Sequence, residues 1–256
     1  MFERFSHKMQ ARSVALLDSI EGGLDRIMQY WLLVAGIAVI ARIAFRPGAF
    51  IGLEGVLPYV LVLLAPFASM VLALRWFARG DTMPQPAIRL ARTGKWTQLS
   101  HAEASRHRLY GASGIMVSLT VGILLNVPIR AGEFLVSMPP LTLGSPEWAS
   151  TLHALMTFDV VLLTSLYTIA FVAALRRVPF FPRLLAGIWI VDLAMQLVIA
   201  GIVGRAGLPP PVATALGDIL DGNIKKVLIS VALWLPYLLL SARVNVTYRH
   251  RVATDA

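Results

Sequence analysis

The residues able to do chemistry in this chain are few, and the most telling ones sit inside apolar runs. Asp159 lies in TFDVVLLTSLY, and Asp192 lies in IWIVDLAMQLV with Gln196 one helical turn later on the same face. Asn126 and Arg130 bracket Pro128, Glu133 follows, and Arg42 stands near the end of the first run. A charged side chain in the middle of a hydrocarbon layer costs about 2.5–3.5 kcal/mol even on insertion scales, so each of these groups needs a partner. Two chemistries fit such a set. One is a polar cavity that holds a proton or a cation, with Asp192 as its strongest candidate and Asp159 beside it. The other is a set of interhelical hydrogen bonds and ion pairs that fix a bundle.

Signatures of soluble catalysis are missing. The chain has no G-x-x-x-x-G-K-[ST], no G-x-G-x-x-G after a strand, no H-E-x-x-H and no G-x-S-x-G. Its five histidines, His7, His101, His107, His153 and His250, include no pair four apart, so no zinc cluster is expected. Cysteine is absent, which removes disulfides, thiolate nucleophiles and cysteine metal sites. No catalytic residue, cofactor or metal is expected.

Composition supplies the setting for these polar groups. Of 256 residues, 57% are apolar and 14% charged, and the mean hydropathy is +0.71. Soluble domains carry roughly 25% charged residues, so too little polar surface is present to cover a water-soluble globule. Crossing a hydrocarbon core of about 30 Å takes about 20 residues in a helix. Six runs qualify: Met28–Phe45, Val56–Phe77, Leu109–Pro128, Leu155–Leu175, Leu184–Val203, and Val227–Leu240 with its flanks. They lack the alternation of a barrel strand, so the expected fold is an all-α, polytopic transmembrane bundle.

The net charge of +9 follows the loops between these runs. With the amino terminus inside, seventeen basic residues fall on inner segments: Arg4, Lys8, Arg12, Arg26, seven from Arg75 to Arg108, Arg176, Arg177, Arg183, Arg243, Arg249 and Arg251. Six fall outside: Arg42, Arg46, Arg130, Arg205, Lys225 and Lys226. That bias predicts both termini on the cytoplasmic side of a bacterial inner membrane. It also accounts for the charge without nucleic acid, and anionic lipid headgroups are the expected partners of the inner basic loops. Residues 1–26 carry eight charges and no apolar core, so no cleavable signal peptide is expected.

Residues 8–26 place Val14, Leu17, Ile20 and Leu24 at helical spacing, reading as an amphipathic helix on the inner face or a solvated lead-in. Gly80, Pro84 and Pro86 mark the best internal boundary. Pro58, Pro66, Pro128 and Pro236 are expected to break their spans. Gly114, Ser118 and Gly122 recur every four residues as a face for close packing within the bundle. Tyr30, Trp31, Trp76, Trp148, Trp189, Trp234, Tyr237 and Tyr248 read as interface anchors. The chain divides into residues 1–78 (amphipathic lead and two spans), a basic loop 79–108, a four-span unit 109–250 and a tail 251–256.

The closing stretch ALWLPYLLLSARVNVTY, Ala232–Tyr248, resembles the ending of a family of small bacterial membrane proteins catalogued as domain of unknown function 2569. Trp234, Pro236, Tyr237, Ser241, Arg243, Val244, Thr247 and Tyr248 follow the family's pattern in order. Leu109–Phe134 is similar to its glycine-led first span, and Glu147–Leu185 to its tryptophan-containing loop, acid-bearing second span and basic Phe-Pro turn. Asp159 stands where glutamate is the family pattern, and Ala242 where a basic residue follows the serine. The resemblance spans about residues 109–250 and implies a four-span membrane unit with no established activity. The expected role is a non-enzymatic accessory or structural membrane subunit or a sensor, with a membrane-protein partner or a second copy. The alternatives are a small proton- or cation-coupled transporter using Asp192 and Asp159, and, behind it, a lipid-modifying enzyme.

Overall fold

The computed structural model describes residues 2–45, 52–88, 90–91, 94–142 and 144–254, with side chains from residue 12 onward. Arg46, Arg89 and Arg92 of the charge count, and the last two residues of the tail, lie outside the described residues.

Nine α-helices form among the described residues. In chain order they are α1 (Phe2–Gly22), α2 (Leu24–Ala44), α3 (Leu53–Trp76), α4 (His101–Arg106), α5 (Ile115–Ser137), α6 (Glu147–Leu175), α7 (Phe181–Val203), α8 (Pro210–Leu240) and α9 (Ala242–Arg249). Two short strands, β1 (Trp96–Gln98) and β2 (Arg251–Ala253), pair antiparallel with Thr97 opposite Val252. Six helices (α2, α3, α5, α6, α7 and α8) are long and apolar enough to cross a membrane. The all-helical bundle expected from hydropathy is therefore present.

Helix α6 is the axis: 67% of its most apolar window is buried, against 11% for α2. It packs against α3, α5 and α7, while α7 continues to α8 and α2 rests on α3. Apolar side chains form two clusters. One gathers Phe171, Val172, Phe181, Leu185 and Tyr248 toward the α9 end, and the other gathers Tyr59, Phe134, Met156 and Ile199 toward the opposite end.

Several span limits differ from the hydropathy reading, each for a local reason. Helix α5 starts after Gly111 and Gly114, which hold φ of 91° and 61°, and it runs through Pro128 to Ser137. Pro58, Pro66 and Pro236 also lie inside continuous helices, because a proline forfeits only one backbone donor and its helix continues on packing. Helix α8 has 31 residues, about 46 Å at 1.5 Å per residue, so Val227–Leu240 is only its apolar half.

Ser118 and Gly122 are exposed, and a Cβ at Gly122 would meet nothing within 4 Å, so that small-residue face points outward. Nor are all the aromatic residues interface anchors. Trp189 and Tyr248 are buried, the latter donating from its hydroxyl to the Ala174 carbonyl at 2.9 Å. Removed from water, the Tyr248 phenol is held above its ordinary pKa.

The α9 end is tied together by polar contacts. The Ser241 hydroxyl caps α9, accepting from the Val244 amide at 3.5 Å. Thr247 accepts from the Gly111 amide at 3.1 Å, and Arg251 lies 4.2 Å from the Trp96 ring centre. Helix α1 is docked here as well: Leu17 is buried, Glu21 pairs with Arg176 at 2.9 Å, and Ser13 accepts from the Gly114 amide at 2.9 Å. Val14, expected on the same apolar face, is 41% exposed.

After α3 the chain turns at Gly80, buried against the end of α6. A Cβ there would stand 2.7 Å from both the Arg176 carbonyl oxygen and Val178 Cγ2. Backbone cannot move aside cheaply, so Gly80→Ala is expected to cost about 1–3 kcal/mol. Thermal unfolding in detergent measures it, and a wild-type midpoint would refute the close approach.

Candidate functional site

The polar residues singled out in the apolar runs come together between the two apolar clusters. On α5, Val127 belongs to one cluster and Ala131 to the other, with Arg130 between them. On α6, Asp159 lies just before the junction of Val160 and Leu163, and on α7 Asp192 and Gln196 fill the interval between Trp189 and Ile199. On α8, Asn223 sits between Leu220 and Val227. Four helices thus contribute to one polar layer at one level of the bundle.

Arg130 is its centre. Its Nη2 donates to Asp192 Oδ2 at 2.5 Å, and its Nη1 lies 3.6 Å from Asp159 Oδ2. Its Nε donates to Asn126 Oδ1 at 3.1 Å, one turn back on the same helix. The Tyr167 hydroxyl donates to the same Asp192 oxygen at 2.9 Å, and its ring lies 5.8 Å from the Arg130 guanidinium carbon. The chain of contacts continues from Gln196 Nε2 to Asp159 Oδ1 at 3.1 Å, and from Asn223 Nδ2 to Gln196 Oε1 at 3.2 Å. Asp192 is 0% exposed, Asp159 2% and Arg130 8%, so this is a desolvated ion-pair network.

All five expected residues (Asn126, Arg130, Asp159, Asp192 and Gln196) therefore meet. Arg130, counted as an outer-loop charge, is instead buried within α5. Arg42 and Glu133 stay outside the layer. Arg42 donates to the Val136 carbonyl at 3.3 Å, and Glu133 pairs with Lys226 at the mouth of a cavity of about 40 Å³ lined by Asn126, Arg130, Tyr167 and Asn223. That volume holds no more than about three waters.

The sequence reading missed Tyr167 and Asn223. Leu216, Leu220, Asn223 and Val227 share one buried stripe of α8, so helical spacing alone places Asn223 inward. Tyr167 carries a similar signal, two turns beyond Asp159 on α6.

The formal charge of the layer does not cancel. Two carboxylates face one guanidinium, and among the described residues Asp192 Oδ1 has no hydrogen-bond partner. The layer is neutral when it holds one added proton or one monovalent cation.

Of the family-like residues, Trp234 and Tyr237 pack edge-to-face at 6.3 Å near the end of α8, with Pro236 inside that helix. Ser241, Arg243 and Thr247 belong to the α9 latch, where Arg243 Nη1 donates to the carbonyls of Leu109 and Gly111 at 3.2 and 3.3 Å. The motif and the polar layer are thus separate places in the fold. Among the described residues no group of three or more histidines and carboxylates is placed to hold a metal ion. Comparison with protein-family models, with curated proteins and with solved structures finds no match.

Removing Arg130 leaves two buried carboxylates facing each other, and breaking a buried pair from one side costs about 3–5 kcal/mol. Asp192→Asn keeps an acceptor for Arg130 and Tyr167, so its cost is about 1–3 kcal/mol. Arg130→Gln is therefore expected to unfold at clearly lower denaturant than Asp192→Asn in the same detergent. The reverse order would show that Arg130 does not hold the layer together.

Proposed function

We propose that this chain is a non-enzymatic, multi-pass protein of a bacterial inner membrane, an accessory or structural subunit or a sensor, with both termini cytoplasmic. One observation carries the reading: Asn126, Arg130, Asp159, Tyr167, Asp192, Gln196 and Asn223 are bound to one another. They form a layer that joins α5, α6, α7 and α8 around a cavity of about 40 Å³, too small for an organic substrate. Burial takes Arg130 off the outer count and Arg249 and Arg251 off the inner one, so the charge bias behind the proposed topology stays about threefold.

One specific observation favours a second reading, a proton- or cation-coupled carrier: the carboxylate in excess within the layer. Proteoliposomes loaded with a pH-sensitive dye separate the two. After an external acid pulse, wild-type protein and Asp159→Asn are expected to acidify the lumen at the rate of protein-free vesicles. Faster acidification by wild type that disappears in Asp159→Asn would replace the structural reading with the carrier.

The topology is checked independently. Alkaline phosphatase fused after residue 95 is expected to be inactive, and green fluorescent protein there to be bright. An active phosphatase would place the most basic loop outside and overturn the orientation.

A further inference from the structure

A second cavity, of about 180 Å³, lies at the α9 end between α1, the segment leading into α5, the end of α6 and α9. Three guanidiniums line it: Arg108, Arg177 and Arg243. None of the three forms an ion pair among the described residues. Of the two lining carboxylates, Glu21 is taken by Arg176 at 2.9 Å, which leaves Asp18 at the rim. The lining thus carries three positive charges against one uncompensated negative charge.

The cavity is built rather than incidental. Arg243 is aimed by the Leu109 and Gly111 carbonyls, which accept only from its Nη1. The Arg177 guanidinium carbon lies 5.6 Å from the Tyr110 ring centre, and Arg177 Nε would stand 3.9 Å from a Cβ at Gly111, whose φ of 91° suits glycine. Burial draws the Arg243 guanidinium below its ordinary pKa, a penalty that a neighbouring anion relieves. Ser113 also lines the cavity and is 4% exposed, its hydroxyl buried without a hydrogen-bond partner among the described residues. Three guanidiniums without a carboxylate partner, lining one cavity, are a donor set for a phosphate group.

We propose that this cavity is a binding site for a phosphate-bearing anion, supplied by the headgroup of an anionic phospholipid at the bilayer surface. The lipid source rests on the membrane reading above, since basic pockets between helices near the cytoplasmic surface suit such headgroups. The phosphate chemistry itself does not rest on it. The cavity also gives the docked α1 a use, because α1 forms one wall and would close over the headgroup.

The test uses the full chain in dodecylmaltoside micelles. Apparent affinity is read from thermal stabilisation on titrating dioleoylphosphatidylglycerol, dioleoylphosphatidylcholine, or inorganic phosphate against chloride at matched ionic strength. Phosphatidylglycerol is expected to stabilise at lower mole fraction than phosphatidylcholine. Arg177→Gln is expected to weaken it about tenfold, the loss of one charge-assisted contact, while Arg106→Gln, on exposed α4, leaves it unchanged. Should Arg177→Gln fail to fold, Arg108→Gln serves in its place, with a smaller loss.

Stabilisation by inorganic phosphate with the same sensitivity supports the site and assigns it to a soluble phosphate compound. Equal loss in Arg106→Gln would show diffuse surface charge and overturn the site, as would equal responses to the two lipids with none to phosphate. Incorporation into phosphatidylcholine nanodiscs reports the membrane reading separately, so a soluble chain and a chain without an anion site give different results.

Discussion

The bundle depends on one contact, the guanidinium of Arg130 reaching Asp192 across α5 and α7 while facing Asp159 on α6. Apolar helices surrounded by lipid gain little from packing on one another, because acyl chains are as apolar as leucine, so apolar contact alone does not fix how they slide or rotate. A buried ion pair does fix it. Once Arg130 is desolvated, sliding α5 against α6 and α7 separates it from Asp192 and Asp159 and leaves buried charges without partners. The pair contributes specificity more than net stability. Gln196 and Asn223 then extend the same constraint to α8, whose buried stripe is otherwise sparse.

A second constraint acts at one end. There α9 is laced to the Leu109–Gly111 segment by Arg243 and Thr247 and to the end of α6 by Tyr248, and α1 is pinned by Ser13 and Glu21. The two constraints divide the labour. The polar layer sets the register of the helices in the interior, and the latch sets which ends meet and encloses the phosphate-sized cavity. Ser241, Arg243, Thr247 and Tyr248 of the family-like motif fall on the latch, Trp234, Pro236 and Tyr237 near the end of α8, and the buried acids on the layer, so the motif and the residues that invite chemistry serve different purposes.

The fold was legible because hydropathy is local: six apolar stretches of helical length announce themselves without knowledge of neighbours. The inward direction of Asp192 and Gln196 was legible as well, since four-residue spacing and the penalty for charge in lipid together leave only the interior. Arg130 was misplaced because Pro128 looks like a terminator, whereas α5 is held by packing and continues to Ser137. Its partner lies 62 residues away, and no local signal encodes such a distance. Ser118 and Gly122 of the small-residue stripe point outward because the inner face of α5 is set by Met116, Leu119, Ile123, Val127 and Arg130. Small residues permit close approach without demanding it.

The geometry also reorders the two aspartates. Position within its run makes Asp192 the prime candidate for a proton or a cation, yet Asp192 is the better compensated of the two. It holds the Arg130 contact at 2.5 Å and a hydroxyl donor from Tyr167 at 2.9 Å on the same oxygen. Asp159 stands 3.6 Å from the guanidinium and otherwise relies on a neutral carboxamide, which supplies a dipole in place of a charge. In a layer with one positive charge too few, the added charge belongs beside the carboxylate that the arginine serves less. Any exchange of a proton or cation with water would therefore run through Asp159, with Arg130 and Asp192 as the fixed pair against which it occurs. A static bundle and a coupled carrier share that fixed pair and differ only in whether Asp159 exchanges its compensating charge with water.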